Sequence, residues 1–323
     1  MRILVTGGAG FIGSNFVRMA LASRNNLEIT VLDSLTYAGR LANLNGLMNR
    51  ITFCEGSICD PGLVEKLVAN SDVVVHFAAE SHNDNSLKDP SPFIDTNIKG
   101  TFNIIQYCAK FGVRFHHVST DEVFGDLPLG TLDKFNRDSP YNPSSPYSAS
   151  KAASDQIVKA WVRSFGLQAT VSNCGNNFGP YQHEEKLIPR TILSVLAGIK
   201  PKIYGTGLNV RDWIHVDDHN EGIWAILERG QIGQTYLLGA NGERTNLQVV
   251  GAILEAMGRP ADFFEFVEDR PGHDLRYAID ASETFEELGW QPGNCSLNES
   301  LKSVIDHYAN RVESGEIELD KNL

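Results

Sequence analysis

The sequence predicts an α/β fold in which a doubly wound parallel sheet is accompanied by a smaller mixed α/β lobe. In the first half of the chain, short runs of β-branched residues alternate with helical stretches, as in successive β–α–β units. The run at residues 73–77 is apolar almost throughout, which is typical of a strand buried on both faces of a sheet. After Cys174 the alternation stops, and segments containing Pro and Gly separate the remaining helices.

The individual elements follow in chain order. Runs rich in β-branched residues predict strands at residues 3–5, 29–32, 51–53, 73–77, 115–118 and 169–172. The stretches between and after them predict helices at residues 11–21, 63–68, 93–109, 147–165, 187–196, 218–227, 247–257, 282–288 and 297–308. Because 323 residues are many for one core, we expect a main domain of residues 1–173 plus about 210–239, and a lobe of about 174–209 plus 240–323.

Composition excludes several classes of protein. A net charge of −12 argues against nucleic-acid and membrane-surface binding, although local Arg and Lys can still hold an anionic nucleotide. No apolar run approaches the ~20 residues of a membrane span. The first predicted strand leaves no room for a signal peptide, so we expect a cytoplasmic protein. The five cysteines form no C-x-x-C pair and are predicted to be free thiols: Cys54, Cys59, Cys108, Cys174 and Cys295.

A glycine-rich loop follows the first predicted strand. Gly7, Gly10 and Gly13 have the spacing G-x-x-G-x-x-G at the start of a predicted helix. Such glycines permit a tight turn and close approach of the backbone, so that a pyrophosphate can bind at the helix N-terminus. Asp33 lies 20 residues further on, at the end of the second strand, where it can accept hydrogen bonds from a ribose and repel a 2′-phosphate. The segment therefore predicts a Rossmann-type site for NAD rather than NADP.

A tyrosine and a lysine lie at the start of the helix predicted at residues 147–165. Tyr147 and Lys151 share one helix face because they are four residues apart. A neighbouring ammonium and a positively charged nicotinamide would lower the pKa of the phenol from its usual value of about 10. Tyr147 could then take the proton of a sugar hydroxyl while hydride leaves for NAD.

Two adjacent carboxyl groups, Asp121 and Glu122, follow Thr120 at the end of a predicted strand. Neighbouring strand residues point to opposite faces, so both groups reach one substrate only if the chain bends here, and Gly125 makes a bend plausible. Two close carboxyl groups separate their pKa values into one protonated acid and one ionised base. With the tyrosine and lysine, the pair indicates an enzyme that oxidises a sugar in order to eliminate water from it.

These motifs resemble those of the extended short-chain dehydrogenase/reductases, and among them the dTDP-glucose 4,6-dehydratases. Related epimerases and decarboxylases share the glycines and the Tyr–Lys pair but tend to lack an Asp–Glu pair, so the dehydratase assignment depends mainly on Asp121 and Glu122. The resemblance covers essentially the whole chain and is carried by residues 6–13, 33–39, 78–82, 119–126, 146–151, 176–182, 185–189, 207–213 and 269–274.

The resemblance implies a role for each of these residues. Tyr147 would be the base for oxidation at C4, assisted by Lys151 and Thr120. Glu122 would remove the C5 proton, Asp121 would protonate the departing C6 hydroxyl, and hydride would return from NADH to C6. Cofactor contacts are implied for Gly7, Gly10, Phe11, Ile12, Gly13, Asp33, Ser34, Leu35, Thr36, Ser57, Ile58, Ala78, Ala79, Ser81, Thr96, Tyr147, Lys151 and Asn177. Contacts with a nucleotide sugar, first of all dTDP-glucose, are implied for Ser81, Thr120, Asn176, Lys186, Leu187, Lys202, Tyr204, Arg211, Asn246 and His273.

The chain departs from the family pattern at several of these places. Ser57 stands where an aspartate usually meets the adenine. Asn83-Asp84-Asn85 stands where Val-Asp-Arg is usual, which removes a cation near cofactor and substrate. Asn173 and Gly175, which precede the segment 176–182, replace Arg and Ser, and Phe178 within that segment replaces Tyr. These differences bear on affinity or nucleotide preference rather than on the type of reaction.

Two other functions stay open. An NAD-dependent nucleotide-sugar 4-epimerase would retain the oxygen at C6, whereas a catalytically silent NAD-binding scaffold or sensor would have no turnover at all. The intact catalytic set argues against the scaffold.

We expect no metal ligand, because Asp217 and Asp218 in the segment 215–219 are better explained as a helix N-cap and a first-turn acid. His116 and His117 are expected to be structural. A homodimer through a helix bundle is predicted from the apolar residues Ile157, Val158, Trp161 and Val162.

Overall fold

A computed structural model of the chain describes residues 1–269, 271–293 and 296–319. Cys295, and Arg270 within the segment 269–274, lie outside the described residues; the other four cysteines carry free thiols.

In the described ranges, the strands are β1 (Arg2–Thr6), β2 (Glu28–Asp33), β3 (Ile51–Glu55), β4 (Val73–His76), β5 (Arg114–Thr120), β6 (Ala169–Cys174), β7 (Asn176–Phe178), β8 (Lys202–Tyr204), β9 (Val210–His215), β10 (Thr235–Leu238), β11 (Glu243–Thr245) and β12 (Glu265–Val267). The helices are α1 (Phe11–Ser23), α2 (Pro61–Ala69), α3 (Asn83–Lys88), α4 (Ser91–Phe93), α5 (Thr101–Phe111), α6 (Pro146–Phe165), α7 (Leu187–Leu196), α8 (Val216–Arg229), α9 (Asn246–Ala256), α10 (Ser282–Leu288) and α11 (Leu297–Glu313).

Seven strands form one parallel sheet in the order β10-β6-β5-β4-β1-β2-β3. The chain therefore moves outward from β1 in both directions, which is the arrangement of a doubly wound sheet. All six strands predicted from the sequence lie in this sheet, while β10 was not predicted. The predicted α/β fold with a parallel sheet is thus confirmed.

Helices cover both faces of this sheet. Every residue of β4 is buried, as expected for a strand with apolar neighbours on either side. On one face α1 and α8 pack together, and on the other face α2, α5 and α6 pack together. Phe16 of α1 is fully buried in the first of these layers, where its ring stacks on Trp224 at a centroid distance of 5.3 Å.

Helix α6 is defined by strong signals at both of its ends. The side chain of Ser145 forms a capping box, Pro146 occupies the first turn, and Gly166 ends the helix in the left-handed conformation with φ 69°. The first turns of α6 therefore have a fixed position against the sheet. These turns carry Tyr147 and Lys151, and both residues are buried.

The single helix predicted at residues 93–109 is divided in the structure. A π-helical segment, Ile94–Gly100, separates α4 from α5. The wider turn includes Asn97, which accepts a hydrogen bond from the backbone N–H of Glu80 and donates one to the hydroxyl of Ser150. Segments of this kind are frequent at functional sites, and this one lies beside the carboxyl ends of β4 and β5.

The second lobe is built on small sheets. Strands β11, β9 and β7 form a three-stranded sheet, and β12 pairs with β8. Because β9 belongs to this sheet, its residues 210–215 hydrogen-bond with the lobe rather than with the predicted main domain. The division of the chain into two units otherwise stays a prediction.

The N-cap of α8 is His215, whose Nδ1 accepts a hydrogen bond from the N–H of Asp217, so the predicted Asp217 cap was wrong. Asp218 is a first-turn acid as expected.

The stacking of Phe16 predicts a large stability effect. Phe16→Ala should lower the free energy of unfolding by about 3–5 kcal/mol, because it removes a fully buried ring and leaves a cavity. The control Leu132→Ala, at a side chain that is 96% exposed, should change it by no more than about 0.5 kcal/mol. Urea unfolding of the three proteins measures both values, and equal midpoints would contradict the packing described here.

Candidate active site

The glycine-rich loop leaves room for a ligand at the start of α1. Gly7 has φ +70°, and a Cβ there would lie 2.6 Å from the backbone nitrogen of Ala78. A Cβ on Gly13 would collide with the carbonyl oxygen of Gly7. Helix α1 begins after Gly10 without a side-chain cap and without an acidic residue in its first turn. Its first N–H groups are therefore available to an anion, as a pyrophosphate requires.

Asp33 lies beside the glycine-rich loop, at the end of the neighbouring strand β2. Its two carboxylate oxygens accept hydrogen bonds from the N–H groups of Ala9 and Leu35, each at 2.9 Å. Burial raises the pKa of Asp33, and these two bonds oppose the rise. The carboxylate is thus fixed at the carboxyl end of β2. Leu35 contributes through its backbone, in a left-handed conformation with φ 49°, and does not line the cavity.

A cavity of about 320 Å³ extends from the glycine loop to the catalytic residues. Apart from Leu35, all predicted cofactor residues line it: Gly7, Gly10, Phe11, Ile12, Gly13, Asp33, Ser34, Thr36, Ser57, Ile58, Ala78, Ala79, Ser81, Thr96, Tyr147, Lys151 and Asn177. The shape and the donor set of this cavity fit a dinucleotide. The sequence missed several further lining residues, namely Tyr37, Glu80, Cys174, Gln182, His183 and Glu185.

A second cavity, of about 440 Å³, lies between the main sheet and the second lobe. Nine of the ten predicted substrate residues line it: Ser81, Asn176, Lys186, Leu187, Lys202, Tyr204, Arg211, Asn246 and His273. Thr120 lines the first cavity instead. The two cavities meet, since both are lined by Ser81, Glu122, Asn176, Gln182, Glu185 and Lys186. Residues missed by the sequence argument include Asn83, Lys88, Arg190 and Tyr277.

The chain bends directly after Thr120, at the place where the sequence argument needed a bend for Asp121 and Glu122. Strand β5 ends at Thr120, and a 3₁₀ turn, Asp121–Phe124, follows directly. The Thr120 hydroxyl accepts from the N–H of Glu122 and lies 3.3 Å from a carboxyl oxygen of Asp121. Glu122 lines both cavities, whereas Asp121 is 1% exposed and lies behind the cavity wall.

Burial is the largest cause that raises the pKa of Asp121 well above its ordinary value, and the charges of Glu122 and Asp212 raise it further. Arg211 opposes this effect. Burial also raises the pKa of Asp212, to about 6. A raised pKa is what the predicted role of Asp121 as a proton donor requires.

Tyr147 does not show the lowered pKa that the sequence argument expected. Burial raises the pKa of its phenol, the charges of Glu122 and Asp121 add to this, and a hydrogen bond with Thr120 opposes it. The ammonium of Lys151 donates to the carbonyl oxygen of Val118 at 2.8 Å, and burial lowers its pKa to about 8. In the protein alone, desolvation and the two carboxyl groups therefore raise the pKa of Tyr147 by more than Lys151 lowers it.

A buried polar network supports the catalytic strand from behind. The side-chain amide of Asn173 donates to the carbonyl oxygen of Thr120 and to a carboxylate oxygen of Asp155, each at 3.0 Å. The other oxygen of Asp155 lies 3.2 Å from Nε2 of His117, and both side chains are fully buried. Asn173, a departure from the family pattern, thus connects β5 and β6 to α6. His116 is held between Thr170 and Ser172 hydroxyls.

Over residues 1–269, 271–293 and 296–319, no cluster of three or more His, Cys, Asp or Glu side chains is arranged to hold a metal ion. In the same ranges, no helix combines the length and the apolar character needed to cross a bilayer.

Comparison with known proteins agrees with this geometry. A family model described as GDP-mannose 4,6 dehydratase matches residues 4–304. The dTDP-glucose 4,6-dehydratase of Mycolicibacterium smegmatis is 58% identical over 308 residues, which cover 95% of this chain and 93% of the relative. The DesIV dTDP-glucose 4,6-dehydratase of Streptomyces venezuelae, solved as a double mutant with NAD bound, is 44% identical with a TM-score of 0.93, over 97% of this chain and 98% of its own.

An epimerase is similar in fold but more distant in sequence. The UDP-glucose 4-epimerase of Thermotoga maritima, solved with UDP-glucose, is 28% identical with a TM-score of 0.89, over 97% of this chain and 100% of its own. The likeness to this epimerase lies mainly in the fold, whereas the dehydratases are also more similar in sequence. The chain belongs to the GDP-mannose 4,6 dehydratase family, and its relatives place it among the dTDP-glucose 4,6-dehydratases of that family.

Proposed function

We propose that the chain catalyses the NAD-dependent conversion of dTDP-glucose to the 4-keto-6-deoxy sugar nucleotide, with loss of water. The observation that carries this proposal is that a Tyr–Lys pair and the half-buried carboxylate of Glu122 line one cavity, with the buried acid Asp121 next to that carboxylate in the chain. The first pair suits oxidation of a hydroxyl and the second suits elimination. An epimerase needs only the first pair, and a scaffold needs neither.

NAD is the cofactor that suits the first cavity. The uncapped start of α1 faces the space for a pyrophosphate, and Asp33 lies where the adenosine ribose would be. A 2′-phosphate would meet the charge of Asp33, which favours NAD over NADP. When bound, NAD supplies an acceptor for hydride from C4 and a donor of the same hydride to C6.

The residues of α6 and β5 carry out the oxidation half-reaction. Tyr147 takes the proton of the C4 hydroxyl, and Thr120 hydrogen-bonds the phenol while it does so. Lys151 keeps a positive charge below about pH 8, within the same helix turns. Because the protein alone holds the phenol neutral, the positive charge of an oxidised nicotinamide is needed to ionise it.

The carboxyl groups carry out the elimination. The C4 ketone acidifies the C5 proton, which Glu122 removes from the cavity side. Asp121, kept protonated by its burial, donates its proton to the C6 hydroxyl as water leaves. Positioned acids and bases typically contribute about 10²–10⁴-fold each to the rate. Glu122 then returns a proton to C5, so that the base is restored.

The second cavity suits a nucleotide diphosphate joined to a hexose. Its cationic side chains include Lys186, Lys202 and Arg211, and a guanidinium can grip a diphosphate with two hydrogen bonds. Arg211 is buried, its guanidinium donates to the carbonyl oxygen of Asp274, and it lies 4.2 Å from the ring centre of Tyr277. The preference for dTDP over other nucleotides belongs to this proposal.

A cytoplasmic homodimer completes the proposal. Helices α5 and α6 expose aromatic side chains side by side: Phe165 is 63% exposed, and Phe102 and Phe111 are each 40% exposed. Trp161 packs between Phe102 and Phe165 with ring centroids 5.7 and 4.9 Å away. A second copy would bury this surface as a four-helix bundle. Val158, which the sequence had assigned to the dimer face, is fully buried in the chain's own core and contributes nothing to it.

The closed hydride cycle can be followed with labelled substrate. dTDP-glucose deuterated at C4 should give a product that carries deuterium at C6, with no accumulation of NADH, and reaction in D₂O should place deuterium at C5. Mass spectrometry and NMR of the product distinguish the alternatives. Label retained at C4 with the oxygen kept at C6 would identify an epimerase, and no turnover of any dTDP-, UDP-, CDP- or GDP-sugar would identify a scaffold.

Variants should separate the two half-reactions. Tyr147→Phe should lower turnover by about 10²–10⁴-fold and show no transient NADH absorbance, because it removes the base for C4 oxidation. Glu122→Gln and Asp121→Asn should slow water loss by a similar factor while NADH still forms. Tyr107→Phe, a matched substitution outside both cavities, should have no effect. Normal turnover by Tyr147→Phe would exclude the phenol as the base.

The aromatic surface predicts the state of assembly. Light scattering after size exclusion should give twice the mass of one chain for the natural protein. The double substitution Phe102→Glu and Phe165→Glu should give single chains, since it places charges in the bundle. The control Phe266→Glu, at a side chain that is 54% exposed in the second lobe, should remain a dimer. A monomeric natural protein would contradict this assignment.

A further inference from the structure

The carboxylate of Glu122 is held by a residue from a different part of the chain. The side-chain amide of Asn83 donates to it, with 2.8 Å between Nδ2 and Oε2, although the two residues are 39 positions apart. Both residues line the second cavity. The backbone N–H of Glu122 is held at the same time by the Thr120 hydroxyl at 3.3 Å. Contacts at both ends therefore fix the direction in which this carboxylate points.

Asn83 itself is well fixed. It is the first residue of α3, whose N-terminus is capped by His82 through a hydrogen bond from the N–H of Asn85 at 3.3 Å. Its carbonyl oxygen accepts from the hydroxyl of Ser86 at 2.7 Å, and Ser86 is 1% exposed. The reverse orientation of the amide would place its oxygen against a carboxylate oxygen, so that two acceptors would meet. The donor therefore faces Glu122.

The surroundings of Glu122 make this donor important. The charge of Glu122 raises the pKa of three buried neighbours, after burial itself: Asp121, Tyr147 and Tyr277. The carboxylate of Glu122 therefore lies among buried groups that carry acidic protons of their own, so the direction in which it points matters.

We propose that Asn83 is a positioning residue, which holds the carboxylate of Glu122 aimed at the C5 proton. The proposal rests on the dehydratase function proposed above. Asn83 stands where the family pattern usually has valine, and a valine has no hydrogen-bond donor. A hydrogen bond to a charged group stabilises the charged form more than the neutral one. This chain therefore stabilises its elimination base by a contact that the usual sequence does not provide.

Removing the donor should weaken elimination selectively. In Asn83→Val, kcat should fall about tenfold while KM for dTDP-glucose stays within about twofold, because substrate binding does not use the amide. NADH should form at the normal rate and persist longer. Asn83→Asp should show a larger effect in the same direction, and Asn83→Gln should recover part of the loss.

A matched control lies on the same helix. Asn85→Val makes the same change two residues on, at a side chain outside both cavities, and should leave kcat and NADH lifetime unchanged. An effect of Asn85→Val equal to that of Asn83→Val would show that only the stability of α3 matters, and would overturn the proposal. An unchanged kcat and NADH lifetime in both Asn83→Val and Asn83→Asp would overturn it as well.

A measurement without turnover separates this proposal from the proposed function. With ¹³C-labelled glutamate, the carboxyl carbon signal of Glu122 should move in Asn83→Val and stay in place in Asn85→Val, because only the first variant removes its hydrogen-bond donor. Assignment comes from the signal lost in Glu122→Gln. If no sugar nucleotide is dehydrated, the proposed function fails while this signal still tests the contact. An unmoved signal together with a working dehydratase would contradict the role of Asn83 alone.

Discussion

Parallel strands that are buried on both faces can present functional groups only at their carboxyl ends, because their side chains along the sheet are occupied by the core. In this protein the ends of β1, β2, β4, β5 and β6 meet at one edge. They bring the glycine loop, Asp33, Ala78, Thr120 and Cys174 to the wall of one cavity. The capped start of α6 then places Tyr147 and Lys151 against the same edge. The rest of the site is arranged around this edge.

The second determinant of the site is the distribution of charge in a region with little water. Asp121, Tyr147 and Tyr277 are all buried near the carboxylate of Glu122, and burial raises the pKa of each. Burying one anion among neutral acids costs less free energy than burying several anions close together. The same arrangement suits the proposed roles, in which the buried acid would donate a proton and the carboxylate at the cavity would receive one.

The sequence predicted most of the main sheet, and nearly all of the binding residues that it proposed line one of the two cavities, since glycine spacing, strand runs and the Tyr–Lys and Asp–Glu pairs are local signals. It did not predict the short helix α3 or the π-helical segment Ile94–Gly100, where Asn97 bonds to Glu80 and Ser150. The lowered pKa of Tyr147 next to a bound nicotinamide stays a prediction, because in the protein alone burial and nearby carboxyl groups raise that pKa. Spacing gives the position of Lys151, but not that its ammonium donates to Val118. Likewise, Asn83 was recognised only as a departure, because its partner Glu122 is 39 residues away.

Several buried polar atoms at the cavities have no hydrogen-bond partner among the described residues. They include the side-chain oxygens Oδ1 of Asn176 and Asn177. Each such atom costs about 1–3 kcal/mol relative to a satisfied one, so their presence together lowers the stability of this edge of the sheet. A polar ligand that supplies hydroxyl groups or amides there removes part of this cost, and its binding stabilises the folded state by the same free energy. The features that make the site reactive are therefore also those that make the fold gain from binding cofactor and substrate together.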